Sequence, residues 1–363
     1  MHLNLHKKTS KNILVLNSDT NYLIKKSKQL GYNPFSIDNF GKKSLIGNRN
    51  NTNLKIFKKF LKYNEKIKLI YGSGLENREN IFEFLDNNFE IKGNNLKIVK
   101  STNNILRMKK HLLLCGLKIP KTTLYIPKDK YPFIAKPFSS FGGLNIKFSN
   151  THEKEYYYQR YLPGSTYSIS FFIHNKKFIF LGFNKLIQLI NYKKHPFIHA
   201  GAIKIDKLKT SDKIKKSIKK LSKKLNLVGY NSIDFKLFNN NIYILDINPR
   251  ITSTFKIYND IYSNQLLEMQ INPNKTMKLK ENFKEKKYFG FIYMFAKNNQ
   301  KIFKSFSKYK WISDFPKTNN IIIKDEPIFT INSSSSTFCN LISNLKKKIS
   351  ITMKHYNCYD VNI

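Results

Sequence analysis

Asp234 and Asp246 stand twelve residues apart, in the runs NSIDFKLF (231–238) and NIYILDIN (241–248), on either side of an Asn239–Asn240 pair. If the runs pair as a hairpin about that turn, the two carboxylates lie roughly opposite each other on one face of a sheet. Asn248 shares the face, and Arg250 follows after Pro249. Opposed carboxylates repel unless a cation lies between them. Two carboxylates and an amide form an all-oxygen set that suits Mg2+ alongside substrate phosphates. A surface hairpin with chance acids is the competing reading. A chain with 23 Asp+Glu against 65 Lys+Arg disfavours it.

Two more stretches carry usable chemistry. In AKPFSSFGG (135–143), Lys136 closes a strand, and a loop containing Ser139, Ser140, Gly142 and Gly143 follows. Small residues let backbone N–H groups approach phosphate while a lysine neutralises charge. The Gly-Lys-Ser/Thr ending of a Walker A loop is absent, and so is the order of the dinucleotide fingerprint. In YYYQRYLPGSTYS (156–168), a strand, a Pro-Gly turn and a second strand follow one another. That backbone could offer the donor–acceptor edge that adenine needs, or it is a plain inter-strand connection.

The elements that must position these groups are legible in outline. KNILVLN (11–17), a helix over Asn21–Leu30 ending at Gly31, and YNPFSID (32–38) predict a parallel α/β domain. A third strand, IKLIYGSG (67–74), brings Gly72, Ser73 and Gly74 to a carboxyl end, where open α/β sheets bind ligands. The turn is therefore a candidate substrate loop, with a tight turn as the plain alternative. A helix follows from about Glu79, and another within Lys100–Pro120 leads into GLKIP, a domain entry. YPFIAKPF, then SISFFIH and KKFIFLGF paired about Asn175, read as strands. A lysine-rich helix over 211–225 carries Ile214, Ile218, Leu221 and Leu225 on one face. YFGFIYMFA after residue 285 reads as a strand, the stretch beyond it as loop-rich, and Ser333–Ser336 as a low-complexity loop.

Length and composition bound the rest. At roughly 150 residues per domain, 363 residues allow two or three domains. Hydrophobic residues at 41% and aromatics at 14% exclude a disordered or collagen-like chain. Cys115, Cys339 and Cys358 have no metal spacing, so a reducing compartment is expected. The sequence shows neither an apolar run of about 20 residues nor a signal-like start, so a soluble cytoplasmic protein without a membrane partner is expected. The formal charge of +42 suggests nucleic acid. Arginine, however, occurs only at positions 49, 78, 107, 160 and 250, and alanine only at 135, 200, 202 and 296. Scarcity of both, with abundant Lys, Asn, Ile, Phe and Tyr, follows AT-rich codon drift; phosphate recognition would favour arginine's fork. Lysines are also spread along the whole chain. Nonspecific adhesion to polyanions is expected, and a specific nucleic-acid partner is not.

In order, the Lys136-Pro137 strand with Gly142-Gly143, then Gln159-Arg160-Tyr161-Leu162-Pro163-Gly164, then Asp234 with Asp246-Ile247-Asn248-Pro249-Arg250, resemble the ATP-grasp superfamily over roughly residues 100–255. GYNPFSID, the GSGLE loop, PGSTYSISF and PFIHAGAI are more similar to its small carboxylate–amine ligases, of the tyramine–glutamate ligase type. Biotin carboxylase and carbamoyl-phosphate synthase resemble it more distantly. WISDFPKTNNIIIKDEPIFTI (311–331) resembles members found with tetrahydromethanopterin-linked one-carbon genes of methylotrophs.

The resemblance implies an α/β chain: a Rossmann-like pre-ATP-grasp domain (1–99) and an α+β ATP-grasp domain (100–270). The latter has a small lobe over about 100–160 and a large lobe over about 161–270; a β-rich C-terminal subdomain (271–363) packs on the grasp. It implies ATP and Mg2+, with two ions expected, and small-molecule carboxylate and amine substrates joined through an acyl-phosphate. A homodimer is allowed. By resemblance Lys136 binds the α/β-phosphates, the loop with Ser139, Ser140, Gly142 and Gly143 covers the β/γ-phosphates, and backbone around Gln159, Arg160, Tyr161 and Leu162 holds adenine. Asp234, Asp246 and Asn248 bind Mg2+, and Arg250 acts with Lys136 in catalysis. Asp246 stands where the family usually has Glu, and Thr166 replaces a ribose-binding acid. The earlier phosphate-binding cation is Lys100 or Arg107. His195 and His199 face substrate or pack a strand edge. A drifted, noncatalytic nucleotide-binding protein and a basic nucleic-acid binder are the alternatives.

Overall fold

The computed structural model describes residues 11–38, 55–62, 66–75, 78–138, 142–149, 151–190, 192–208, 210–275, 279, 287–302, 309–316 and 318–363. Its first part alternates short apolar runs with amphipathic segments. β1 (Asn12–Asn17), α1 (Asn21–Gln29), β2 (Asn33–Asp38), α2 (Lys55–Lys58), β3 (Lys68–Tyr71), α3 (Glu79–Asn88) and β4 (Glu90–Ile91) follow in order. The strands form a parallel sheet ordered β2-β1-β3-β4. β1 is an unbroken apolar run because both of its faces are covered, and Ile13, Leu14 and Val15 are fully buried.

α4 (Leu96–Thr102) and α5 (Ile105–Leu114) lead out of this sheet. The side chains of Asn95 and Asn104 cap them, accepting the N–H of Ile98 and those of Leu106 and Arg107. A small antiparallel sheet follows, from β5 (Thr122–Thr123), β6 (Phe133–Pro137), β7 (Lys147–Phe148) and β8 (Tyr156–Arg160), ordered β5-β8-β6-β7. Its own core is little more than Phe133, Ala135 and Tyr158.

The remaining chain supplies β9 (Tyr167–His174), β10 (Lys177–Gln188), β11 (His199–Ile205), α6 (Ser211–Lys224), β12 (Gly229–Phe238), β13 (Asn241–Asn248), α7 (Phe255–Ile261) and α8 (Gln265–Ile271). Beyond them come β14 (Tyr288–Phe295), β15 (Gln300–Lys301), β16 (Ile312–Ser313), β17 (Ile321–Ile322), β18 (Pro327–Ser335) and α9 (Phe338–Met353). Eight of these strands make one sheet, ordered β13-β12-β9-β10-β11-β14-β18-β16. β14, β18 and β16 thus extend the sheet that carries Asp234 and Asp246, while β15 and β17 pair apart from it. The seam is β11 against β14, where Gly201, at φ +150°, passes so close that a Cβ would lie 2.2 Å from the Phe291 carbonyl oxygen.

Two-residue turns close both hairpins expected from sequence. Asn175–Lys176 and Asn239–Asn240 all have positive φ, which suits the right-handed twist of the flanking strands. α6 buries Ile214, Ile218 and Leu221 against Ile233 and Phe235. The Ser333–Ser336 loop is corrected: Ser333, Ser334 and Ser335 are strand residues of β18, paired with Gly290, Phe289 and Tyr288. Ladder hydrogen bonds, not side-chain hydrophobicity, hold them there. α9, which the sequence reading missed, covers β14 and β18 with Leu341, Leu345 and Ile349. Among the described residues no helix is long and apolar enough to cross a membrane.

Candidate active site

The register of one hairpin sets the site. β12 and β13 pair Ser232 with Asn248 and Asp234 with Asp246, with an irregularity immediately after Asp234. Asn248 Nδ2 donates to Asp234 Oδ2 at 3.3 Å, and Arg250 Nη2 donates to Asn248 Oδ1 at 3.0 Å. The Ile247 N–H donates to Asp246 Oδ1 at 2.9 Å. Burial, followed by the charge of Asp246, pushes Asp234 up to about 7, although Arg250, Asn248 and Lys136 oppose the rise. The pair is short of positive charge, which is the condition a divalent cation would relieve. Among the described residues there is no cluster of three or more His, Cys, Asp or Glu able to hold a metal. The set here is two carboxylates and an amide, as hard-cation chemistry requires.

Lys136 approaches from the small sheet. Its Nζ donates to the Leu245 carbonyl at 3.0 Å and to Gln159 Oε1 at 3.5 Å, and it lies 5.6 Å from the Tyr157 ring centroid. Burial works against its charge, but Tyr157, Asp246 and Asp234 outweigh it and hold the pKa above that of an ordinary lysine. Gln159 is itself fixed, donating to Thr122 Oγ1 at 3.2 Å.

Gly142 and Gly143 also line the cleft, with φ of +63° and +79°. A Cβ on Gly143 would fall 1.9 Å from the Phe197 carbonyl oxygen. The turn is tied down by His199 N–H to Gly142 O at 2.8 Å and by Asn145 N–H to His195 Nδ1 at 3.3 Å. Ser139 and Ser140 lie outside the described residues.

The hinge is more committed than its sequence suggests. The N–H groups of Arg160 and Tyr161 donate to Lys121 O and Pro132 O at 2.8 and 2.9 Å, so pairing within the small sheet consumes them. Among the described residues no backbone carbonyl accepts the Leu162 N–H. The Arg160 guanidinium stacks 3.6 Å above the Tyr131 ring. Lys236, which the sequence reading did not single out, donates to Leu162 O at 2.6 Å and Gly164 O at 2.7 Å; burial lowers it to about 8.

One expected residue does not arrive. Lys100 is 43% exposed and pairs with Glu79 Oε2 at 3.0 Å, outside the cleft. On α4 its neighbour Val99 takes the inward position, which turns Lys100 outward. Arg107, the other candidate, is exposed on α5 and is not a cleft residue either.

The cleft holds about 1030 Å3 between the two sheets and the carboxyl ends of β1 and β3. The Gly72–Ser73 turn does face it. The Ser73 N–H donates to Asn17 Oδ1 at 3.0 Å, Ser18 and Ser73 hydroxyls are 2.7 Å apart, and a Cβ on Gly72 would meet Asn17 Oδ1 at 2.2 Å. His199 is a cleft residue, with Nε2 2.9 Å from Ser253 Oγ; burial, then Lys256, pushes it down to about 4, so the imidazole is neutral. Lys256, Tyr293 and Asp314 complete this end and were missed. In so lysine-rich a chain nothing local marks Lys256.

The family model of the ATP-grasp domain matches residues 102–254. The chain is 30% identical over 250 residues to an uncharacterized protein of Methanocaldococcus jannaschii, covering 64% of this chain and 61% of that one. It is 34% identical over 174 residues to tyramine–L-glutamate ligase of the same organism, covering 48% and 51%. The chain therefore spans between half and two thirds of the length of these curated relatives. Among solved structures, a biotin carboxylase complex from Campylobacter jejuni superposes with a TM-score of 0.73 at 11% identity, over 97% of this chain and 93% of that one. An L-amino acid ligase from Bacillus licheniformis gives 0.69 at 13% identity, over 94% and 97%. At such identities these two establish the fold, and it is the mixed α/β fold of ATP-grasp proteins.

Proposed function

We propose that the chain, whose residues 102–254 form an ATP-grasp domain, is an ATP- and Mg2+-dependent carboxylate–amine ligase. The observation that carries this reading is the meeting of Lys136 from one sheet with Asp234, Asp246, Asn248 and Arg250 from the other across a single cleft. The tyramine–L-glutamate ligase relative supports the same class of reaction.

Mg2+, held by Asp234, Asp246 and Asn248, would neutralise the triphosphate; two ions are proposed. Lys136, fixed by the Leu245 carbonyl, meets the phosphates with a permanent positive charge. The Gly142–Gly143 turn lies over them, and Leu162 supplies the hinge donor for adenine. A substrate carboxylate oxygen bonds to the γ-phosphorus as the bond to ADP breaks, giving an acyl-phosphate. An amine nitrogen then attacks the carbonyl carbon, loses its proton, and phosphate departs. Arg250, oriented by Asn248, is the donor for the oxyanion of that second step. The net change is carboxylate, amine and ATP to amide, ADP and phosphate.

A role in building a one-carbon cofactor is supported by the likeness of 311–331 alone, and a homodimer by the dimeric 2-oxoglutarate carboxylase domain among structural neighbours. The test of the main reading is ADP release over carboxylate and amine pairs, with hydroxylamine present to trap the acyl-phosphate as hydroxamate. Release that needs a carboxylate, with hydroxamate formed, supports the ligase; MgATP binding with no hydroxamate from any carboxylate overturns it.

A further inference from the structure

The link between the two sheets is held by a side chain that the ligation chemistry does not use. Between β8, which ends at Arg160, and β9, which begins at Tyr167, the chain runs through Tyr161-Leu162-Pro163-Gly164-Ser165-Thr166. Its ends are tied, the Tyr161 N–H to Pro132 O at 2.9 Å and Thr166 O to the Leu186 N–H at 2.9 Å. Among the described residues Leu162, Pro163, Gly164 and Ser165 have no backbone–backbone hydrogen bond. Pro163, Gly164 and Ser165 are exposed, and Gly164 has a φ of +89°. A stretch with so few contacts is slack unless a side chain holds it.

Lys236 is that side chain. Ser232, Asp234 and Lys236 of β12 all line the cleft, as a period of two requires, while Ile233 and Phe235 face the core behind them. From that row Lys236 Nζ donates to Leu162 O at 2.6 Å and to Gly164 O at 2.7 Å, one on each side of the proline, and lies 5.1 Å from the Tyr161 ring centroid. Lys236 is only 8% exposed, and burial is the one influence on its charge, with no carboxylate to offset it. A buried ammonium with carbonyl partners alone is a costly anchor, and a methionine would fill the same space without that cost. What the ammonium adds is geometry. Two charge-assisted hydrogen bonds fix both carbonyls relative to the strand that bears Asp234.

We propose that Lys236 is the positioning residue of the nucleoside end of the cleft: by pinning Leu162 O and Gly164 O to β12, it sets the hinge at one distance from the Asp234–Asp246 pair, so that the base and the triphosphate of one nucleotide are met together. This rests on the ATP reading and adds to it the residue through which the two sheets share one ligand. Lys236 acts through the hinge backbone and not on the reacting atoms. A nucleotide loses the benefit of the hinge when the link drifts. A ligand made of phosphates alone does not feel the link.

The test is calorimetric titration of the full chain, in Mg2+, with a nonhydrolysable ATP analogue and separately with inorganic tripolyphosphate, beside a thermal melt. The parent is expected to bind the analogue more tightly than tripolyphosphate. Lys236→Met keeps the side-chain length and removes a buried charge, so it should melt close to the parent. Its affinity for the analogue should fall ~10-fold or more, as loss of charged hydrogen bonds implies, while its affinity for tripolyphosphate hardly changes. Should Lys236→Met not fold, Lys236→Gln, which keeps an uncharged donor, is measured in its place with the same expectation. An unchanged preference for the analogue in the variant, or an equal loss for both ligands, overturns the positioning role; the latter outcome would make Lys236 a support of the fold alone. A parent that binds the analogue no better than tripolyphosphate overturns the ATP reading itself, whatever the variants do.

Discussion

Asp234 and Asp246 are direct partners across the β12–β13 ladder, and the charge of the second helps hold the first near a pKa of about 7. Cross-strand pairs are usually chosen to attract. This one repels, and the fold tolerates it because Asn248, Arg250 and Lys136 converge on the same spot.

The cost of that repulsion has a pH signature. The folded pKa of Asp234 lies above its ordinary value of 3.8, so between the two the folded state binds the proton more tightly. Its contribution to stability is present at low pH and is lost as pH rises through about 4 to 7. In the metal-free protein Asp234→Asn is expected to raise the melting temperature by a few degrees at pH 8 and hardly at all at pH 4. Equal shifts at both pH values in calorimetric scans with chelator would refute this.

Arg250→Ala should fold, since the guanidinium's hydrogen bonds to Asn248 Oδ1 and the Ile251 carbonyl reach residues one or two positions away and tie down no distant element. Ligation is expected to fall ~10²–10³-fold in kcat, the typical loss when an oxyanion donor is removed. Steady-state ADP release, beside a thermal melt, decides it; near-normal turnover would remove Arg250 from the mechanism.

Gly143→Ala puts a methyl where the Phe197 carbonyl already stands, at a φ of +79°. The turn must move away from the 195–199 segment. The expected result is a protein that melts within a few degrees of the parent yet loses most of its affinity for MgATP, as measured by titration calorimetry. Gly142→Ala meets nothing within 4 Å and should be milder, limited by its own φ of +63°.

The same turn carries a proton-dependent tie. The Asn145 N–H donates to His195 Nδ1; burial, then Lys194, lowers the imidazole's pKa against the pull of Asp325. The tie is intact above that lowered pKa and fails as pH drops through it, because a protonated ring has no acceptor there. Hydrogen exchange corrected for intrinsic rate should show the Asn145 amide losing protection only at a pH below the ordinary imidazole range, the direction of the His195 shift. In His195→Phe it should be unprotected throughout, and protection that ignored both changes would disprove the tie.

How much of this was legible beforehand depends on distance along the chain. The opposition of Asp234 and Asp246 follows from a period of two and a two-residue turn, which are local properties. So do the β9–β10 pair and the apolar stripe of α6. The joining of β11 to β14 is not local, and no pattern in HAGAIKI or YFGFIYMF announces it. Ser333–Ser335 escaped for a related reason: their strand identity lies in hydrogen bonds to residues more than forty positions away. Lys100 misled because it sits near the end of α4 (Leu96–Thr102), a short helix the sequence reading did not separate from α5, with Val99 on the inward side. Lys236 and Lys256 were invisible for a different reason. A residue type spread everywhere by drift carries no positional information, and only their place in the folded cleft distinguishes these two.

The single eight-stranded sheet has a mechanical consequence. Asp234, Asp246 and Tyr293 belong to strands of one hydrogen-bonded slab, and Arg250 and Asp314 lie directly beyond such strands. Lys136, Gln159 and Arg160 belong to a separate, lighter plate with little core of its own. The distances within each group are therefore stiff, and the distance between the groups is the soft coordinate. The Lys136-to-Leu245 bond, 3.0 Å long, is a direct tie across that softer distance.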